Sequence, residues 1–529
     1  MKKLAWIASA SLSLAQIQDI SGARIRAHVR FLASDLLEGR GVGERGGLLA
    51  TEYIATQFAV FGLKPGGDNG TYLQKVPLIG IQTQPDARLS FERGDKRLEL
   101  RWLEDFVGVN RRQKPLEEFS AEVVFVGHGI VAPEFDWNDY AGADVRGKIV
   151  LLFTNEPPST DEKFFAGRAL TYYGRWTYKF EEALRQGALG AVIIHTDETA
   201  GYGWEVVRNS WGGEEPYVRL AAGESELAFA GWITRQAGAK LLGLAGRSVE
   251  ELLKAADTRG FRPFPLGVRL RARIGSKIRD LETHNVVGIV PGSDPVLSSE
   301  AVVFTAHWDH LGIGTPVGGD AIYNGAVDNA TGCGILLELA RFWAALEQKP
   351  RRSAVFVAVT AEEGGLRGSA YYAAHPAIPA AKTAVALNFD GFYPFGRTKD
   401  VVVTGAERTT LWPIVEQAAR RMGLEIKPES RPEQGFYYRS DHFSFARAGI
   451  PAFSIKMGDE FFGKPEGYGR QLFEEYNAKH YHRPSDEYRE DWDFSGIEQM
   501  ARFGFLIGLD AANLPELPDW LPGSEFRRR

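Results

Sequence analysis

Over the second half of the chain, uninterrupted apolar runs alternate with stretches of helical periodicity. NVVGIVPG, AVVFTA, AVFVAV, AVALNF, DVVVTG and PAFSIK are separated by segments such as CGILLELARFWAALEQ and LWPIVEQAARRMG, whose apolar positions recur every three or four residues. A strand exposed on one face alternates apolar and polar residues. These runs do not, which predicts strands buried on both faces and connected by crossover helices. The expected fold class is α/β, a mixed, mostly parallel sheet flanked by helices, with its main body over 280–512.

Residues 22–116 read as the first part of the same domain. ARIRAHVRFLASDLL and LLATEYIATQFAVFG carry helical spacing around the loop EGRGVGERGG. Gly41, Gly43 and Gly46 spell GxGxxG, but the loop follows a helical pattern and not a strand, so it predicts a turn and not a dinucleotide site. Between 117 and 279 the texture changes. AEVVFVG, GKIVLLF and GAVIIH are short strands with the helical YKFEEALRQG among them, which predicts an inserted β-rich domain. Its aromatic stretches, YYGRWTYKF and GYGWEVVRNSWGGEEPY, suit core and loop anchoring, or loops that overhang a cleft. PELPDWLPGSEFRRR is rich in proline and charge, and 513–529 read as a loose tail.

Composition narrows the function classes. With 529 residues and 44% hydrophobic content the chain can bury a large core. Its 62 basic and 68 acidic residues give a net charge of −6 with no long run of one sign, which argues against nucleic acid as a partner and for a small or peptidic substrate. A single cysteine, Cys333, lies in an apolar helical stretch; it excludes internal disulfides and thiolate metal clusters. MKK followed by LAWIASASLSLA predicts a signal peptide over 1–15, and hence export to the periplasm or medium. No other stretch has the apolar length of a membrane span.

Candidate chemistry sits where the strands end. VVFTA leads into His307, AVFVAVTA into Glu362 and Glu363, and TAVALNF into Asp390; Asp328 lies in NGAVDNATG before a helix, and His482 in YHRPSDEY. In an open α/β sheet the carboxyl ends of strands border one crevice, so these groups are expected to converge there. A buried cluster of carboxylates repels itself unless cations neutralise it. Two imidazoles and three carboxylates, His307, Asp328, Glu363, Asp390 and His482, suit two divalent ions, Zn²⁺ best, with Mn²⁺ or Co²⁺ possible. Adjacent side chains in extended backbone point apart, which leaves Glu362 free to act as general base while Glu363 ligates. Asp309 and Asp486 are expected to orient His307 and His482 from behind. HExxH, GxSxG and GxxxxGK[ST] are all missing from the sequence.

Taken together, HWDHLG, IYNGAVDNATG, AEEGGLRGS, LNFDG, YYRSDHFSFARAGIP and YHRPSD resemble the co-catalytic zinc aminopeptidase family. That family includes bacterial secreted leucyl aminopeptidases, glutamate carboxypeptidase and the transferrin receptor ectodomain. FLASDLLEGRG and GLKPGGDNGTY extend the likeness over about 31–72. The resemblance implies one zinc on His307, Asp328 and Asp390, a second on Asp328, Glu363 and His482, Glu362 as base, and Tyr481 steadying a tetrahedral intermediate. It further implies a cis peptide at Asp328-Asn329 and a protease-associated domain at 117–279. Val327 stands where an acid is common, and Arg367 where an apolar residue is usual.

The expected activity is removal of N-terminal residues from peptides by an exported di-zinc aminopeptidase. A carboxypeptidase or dipeptidase of the same fold would clamp a substrate carboxylate with arginine, for which Arg367, Arg439 and Arg483 are placed, and Tyr438 adjoins them as a further substrate contact. A single-zinc glutaminyl cyclase would not need both ligand sets. A non-catalytic, receptor-like binding protein would be expected to lack ligands or base, and none is missing.

Overall fold

The apolar runs form the centre of one sheet. Ala301–His307, Ser353–Val359 and Thr383–Phe389 are buried at every position. Ala301–His307 pairs in parallel with both of the others, and Thr383–Phe389 pairs in parallel with Ala452–Met457. Antiparallel strands complete the edges. His284–Val290 lies beside Ser353–Val359, and Asp400–Val402 beside Ala452–Met457. The sheet is thus mixed with four parallel central strands, an arrangement that needs cover on both faces. Among the helices that belong to this unit are Gly22–Leu32, Arg45–Val60, Thr331–Ala345, Trp412–Met422 and Ser495–Asn513.

This computed structural model describes residues 17–527, so the expected signal peptide at 1–15 lies outside the described residues. The chain divides into two units. The first holds the sheet above and comprises the chain up to Pro77, Leu281–Ser430 and Arg439 onward; the second comprises Leu78–Asp280 and Arg431–Tyr438. Among the described residues, no helix is long and apolar enough to cross a membrane.

The second unit begins earlier than the change of texture at 117 suggests. Leu78–Thr83 pairs with Glu214–Val218, Arg88–Arg93 with the long strand Phe264–Leu281, and Phe106–Val109 with Phe229–Ile233. These pairings span more than a hundred residues of sequence, and local pattern carries no trace of them. Inside, Ile149–Phe153 runs parallel to both Leu116–Phe125 and Gly190–Ile194. In Phe264–Leu281 the residues Leu266, Val268, Leu270, Ala272 and Ile274 are buried while Arg269, Arg271 and Arg273 face water, the alternation of a one-sided strand. The aromatic stretches pack on themselves: Trp176 and Trp211 rings lie 5.5 Å apart, and Trp211 and Trp232 rings 6.4 Å.

The C-terminal segment is docked and not loose. Trp520 is 1% exposed, its neighbour Leu521 donates from N–H to the Arg408 carbonyl at 2.8 Å, and Phe526 packs on the Trp520 ring at 5.1 Å. One large apolar side chain outweighs the prolines and charges around it.

Candidate active site

Strand register brings the first groups together. Thr305 is paired with Asn388, so His307 and Asp390, two residues further along each strand, emerge side by side. His307 Nε2 is 3.3 Å from Asp390 Oδ1 and 3.3 Å from Asp328 Oδ1. The other oxygen of Asp328, Oδ2, lies 3.4 Å from His482 Nε2, which is also 3.0 Å from Glu363 Oε2. Asp328 therefore stands between two imidazoles, each of which faces one further carboxylate. The Asp328-Asn329 peptide is cis, and the helix Thr331–Ala345 starts just after it. Two approaches to this cluster have left-handed backbone at non-glycine residues, Ala361 (φ 53) before the glutamate pair and His482 itself (φ 55). Such conformations cost energy and persist where the surroundings impose them, which is common at functional sites.

These separations suit metal ligands. Two groups each 2.0–2.1 Å from a tetrahedral ion stand about 3.3 Å from one another. His482 Nε2 is buried and makes no hydrogen bond, although two carboxylate oxygens lie within 3.4 Å of it. Ligand atoms of His307, Asp328 and Glu363, and separately of His307, Glu362 and Asp390, gather closely enough to hold an ion. Charge points the same way. Burial opposes protonation of His482, yet Glu363 and Asp328 carry it up to about 10. Burial likewise opposes protonation of His307, and Glu362, Asp390 and Asp328 raise it well above the ordinary imidazole range. A site that draws protons onto its histidines this strongly is one that divalent cations would neutralise.

Glu362 and Glu363 lie in a turn and not in extended backbone, and both reach the cluster: Glu363 beside His307 and Asp328, Glu362 beside His307 and Asp390. Glu363 Oε1 accepts from His310 Nδ1 at 2.6 Å while its Oε2 faces His482. Glu362 is half-buried; burial, with Asp390, Asp441 and Glu363 adding to it against His307, pushes its carboxyl well above the usual range.

Asp309 faces His307 as expected, with its carboxylate Oδ1 3.9 Å from His307 Nδ1 and its backbone carbonyl closer still, whereas Asp486 departs from the expected pairing. His307 Nδ1 lies 3.1 Å from the Asp309 backbone carbonyl, whereas the Asp309 carboxylate accepts from the Glu362 and Glu363 N–H groups at 3.1 and 3.4 Å. The Asp486 carboxylate accepts from Val327 N–H at 3.0 Å, Asp328 N–H at 3.1 Å and the Tyr476 hydroxyl at 3.0 Å. It thus holds the loop that carries Asp328, and not His482. The reason is general: backbone N–H groups in irregular loops must find acceptors, and a nearby buried carboxylate provides two oxygens.

Of the remaining predicted residues, Tyr481 is 40% exposed and stacks on His482 with ring centres 3.9 Å apart. Arg367 donates to the Gly364 carbonyl at 3.0 Å, within its own turn, and the Arg439 charge reaches Tyr481. Tyr438 belongs to the second unit, where it is buried beside Tyr437 and Tyr172, so it is an anchor of that unit. Cys333 is buried and donates its thiol to the His307 carbonyl at 3.1 Å, a packing role. Sequence reasoning missed His310, although it lies in the same HWDH as His307. It also missed Ser440, whose hydroxyl donates to Asp390 Oδ2 at 2.5 Å and accepts from Asn388 Nδ2 at 2.7 Å. Asp441, next to Ser440, is fully buried, and burial pushes its carboxyl up to about 7. The SDH triplet was the signal for these last two.

Comparison with known proteins agrees with this arrangement. Residues 285–503 match the model of peptidase family M28. Rat and mouse aminopeptidase NAALADL1 are each 32% identical over 117 residues, which is 21% of this chain and 14% of those proteins. The chain thus spans about a seventh of the length of these curated relatives. Among solved structures, the aminopeptidase from Aneurinibacillus sp. strain AM-1 superposes with a TM-score of 0.53 at 21% identity, covering 97% of this chain and 99% of that one, a likeness of fold. Residues 285–503 are thus similar to peptidase family M28, and the strand order and converging side chains described above lie within that matched segment.

Proposed function

We propose that the chain is a di-zinc aminopeptidase that removes N-terminal residues from peptides. The observation that carries this reading is the placement of Asp328 between His307 and His482, each with a second carboxylate of its own. His307, Asp328 and Asp390 would hold one ion and Asp328, Glu363 and His482 the other. Bound there, such ions polarise a carbonyl and lower the pKa of water.

The chain's own groups supply the rest. Glu362, whose carboxylate gathers with His307 and Asp390 without being assigned to either ion, is suited to accept a proton from the attacking water and return it to the leaving amine. Surrounding carboxylates offer partners for a free α-ammonium group, which favours trimming from the N-terminus. Tyr481, stacked on His482 with part of its surface open, is placed to donate to developing negative charge on the substrate. The second unit is read as a protease-associated-like domain.

Hydrolysis of amino-acyl amides by the zinc-loaded protein, with N-blocked and C-amidated peptides compared, tests the reading. Glu362→Gln should lower kcat by at least about 10²-fold with zinc content unchanged. Cleavage of N-blocked peptides but not C-amidated ones would reassign the enzyme as a carboxypeptidase.

A further inference from the structure

Arg40 is 1% exposed, and among the described residues no carboxylate lies within ion-pair distance of it. Its guanidinium is spent on backbone carbonyls. Nε donates to Trp308 at 2.7 Å, Nη1 to Leu32 at 2.5 Å and Asn324 at 2.6 Å, and Nη2 to Gly325 at 2.9 Å. The Arg40 carbonyl in turn accepts from His310 N–H at 3.3 Å. Asn324 answers from the other side, its Nδ2 donating to the Ala33 carbonyl at 3.0 Å and Asp35 Oδ1 at 2.8 Å. The loop that delivers Arg40 is closely fitted: a Cβ on Gly39 would lie 2.5 Å from the Tyr323 carbonyl oxygen and 2.6 Å from that of Gly312.

Two of the gripped segments carry ligands. Trp308 directly follows His307, and Asn324 and Gly325 lead into Asp328. A planar fork of fixed donors can bridge carbonyls from separate loops, which a lysine ammonium cannot do with the same geometry. We propose that Arg40, with Asn324 as its counterpart, is a positioning residue that clamps the His307 and Asp328 loops at ligand spacing. The proposal rests on the two-metal reading above. It places the stronger effect on the ion held by His307, Asp328 and Asp390, because both clamped loops feed that set.

The sign of the effect separates positioning from charge. A buried positive charge near a cation site repels cations, so a role through charge alone predicts tighter metal binding when Arg40 is neutralised and no change in Arg40→Lys. Positioning predicts weaker binding in both Arg40→Lys and Arg40→Met. The experiment is zinc competition against a chromophoric chelator, with unfolding midpoints measured for each variant in its metal-free and zinc-loaded forms. Arg40→Lys should weaken one of two equivalents by about 10–100-fold, and the midpoint gain from zinc should shrink. Should Arg40→Lys fail to fold, Asn324→Ala, which keeps Arg40 but frees the second loop, carries the same expectation. Wild-type affinity for both equivalents in the folded variant, with midpoints lowered equally in the two forms, overturns the proposal. Fewer than two equivalents in the wild type would instead overturn the two-metal reading.

Discussion

Replacing Asp486 by asparagine removes one formal charge and one acceptor at a single buried point. Asp486 is 2% exposed, and its two oxygens accept from the N–H groups of Val327 and Asp328 and from the Tyr476 hydroxyl. Asparagine keeps one acceptor oxygen. Its amide NH₂ must then face one of the two backbone N–H groups, donor against donor, whichever way it turns. Hydrogen bonds to a charged acceptor contribute about 1.5–3 kcal/mol each, and a stranded buried donor costs about 1–3 kcal/mol. Burial pushes the Asp486 carboxyl above its ordinary range, so part of this stabilisation already offsets desolvation. The lower end applies, and Asp486→Asn should destabilise the metal-free protein by about 2–3 kcal/mol. The displaced loop carries Asp328, so zinc affinity should fall about 10–100-fold. Urea unfolding in chelator gives the first quantity and zinc competition the second. A variant with wild-type midpoint and wild-type affinity would refute the assignment of Asp486 to the Asp328 loop.

Two further perturbations probe the frame around the site. His28 is buried on Gly22–Leu32 with Nδ1 2.9 Å from the Tyr53 hydroxyl, and burial, aided by Arg24 against Glu338, lowers its pKa from 6.5 to about 4. The unfolded chain therefore takes up a proton before the folded one does. This contribution is fully present above pH 6.5 and is lost as pH falls from 6.5 to 4, to a limit of about 3 kcal/mol; urea midpoints of His28→Leu should fall less steeply across that window, and an identical slope would count against it. At Gly508 a Cβ would lie 2.4 Å from Phe304 Cζ, and Phe304 cannot yield because it is stacked on Phe356 at 5.1 Å and packed by Trp343 at 5.3 Å. Gly508→Ala should destabilise by about 1–2 kcal/mol, overpacking exceeding the gain of about 1 kcal/mol in helix propensity; a stabilised variant would show that the helix can move away.

The cluster of imidazoles and carboxylates was legible because several of its members end uniformly apolar runs, and the register of parallel strands carries them to one edge. His307 and Asp390 follow from that rule alone. Asp328 and His482 sit in irregular loops, and only their neighbours in sequence marked them. The supporting contacts were harder to read. Asp309 and Asp486 were recognised as supports, but the N–H groups they serve belong to segments dozens to more than a hundred residues away, and nothing local indicates which. Arg40 was invisible for the same reason: its partners are carbonyls, which every residue has. The boundary at Leu78 and the docking of Trp520 likewise depend on distant pairing and on a single apolar side chain in a polar context.

A carboxylate shared by two ions ties their occupancies together, so metal stoichiometry reads out the role proposed for Asp328. Elemental analysis of zinc-loaded, dialysed protein should give two zinc per chain in the wild type. Asp328→Ala should lose both ions while remaining folded. One zinc or none in the wild type, or two retained in the variant, would rule out a bridging role for Asp328.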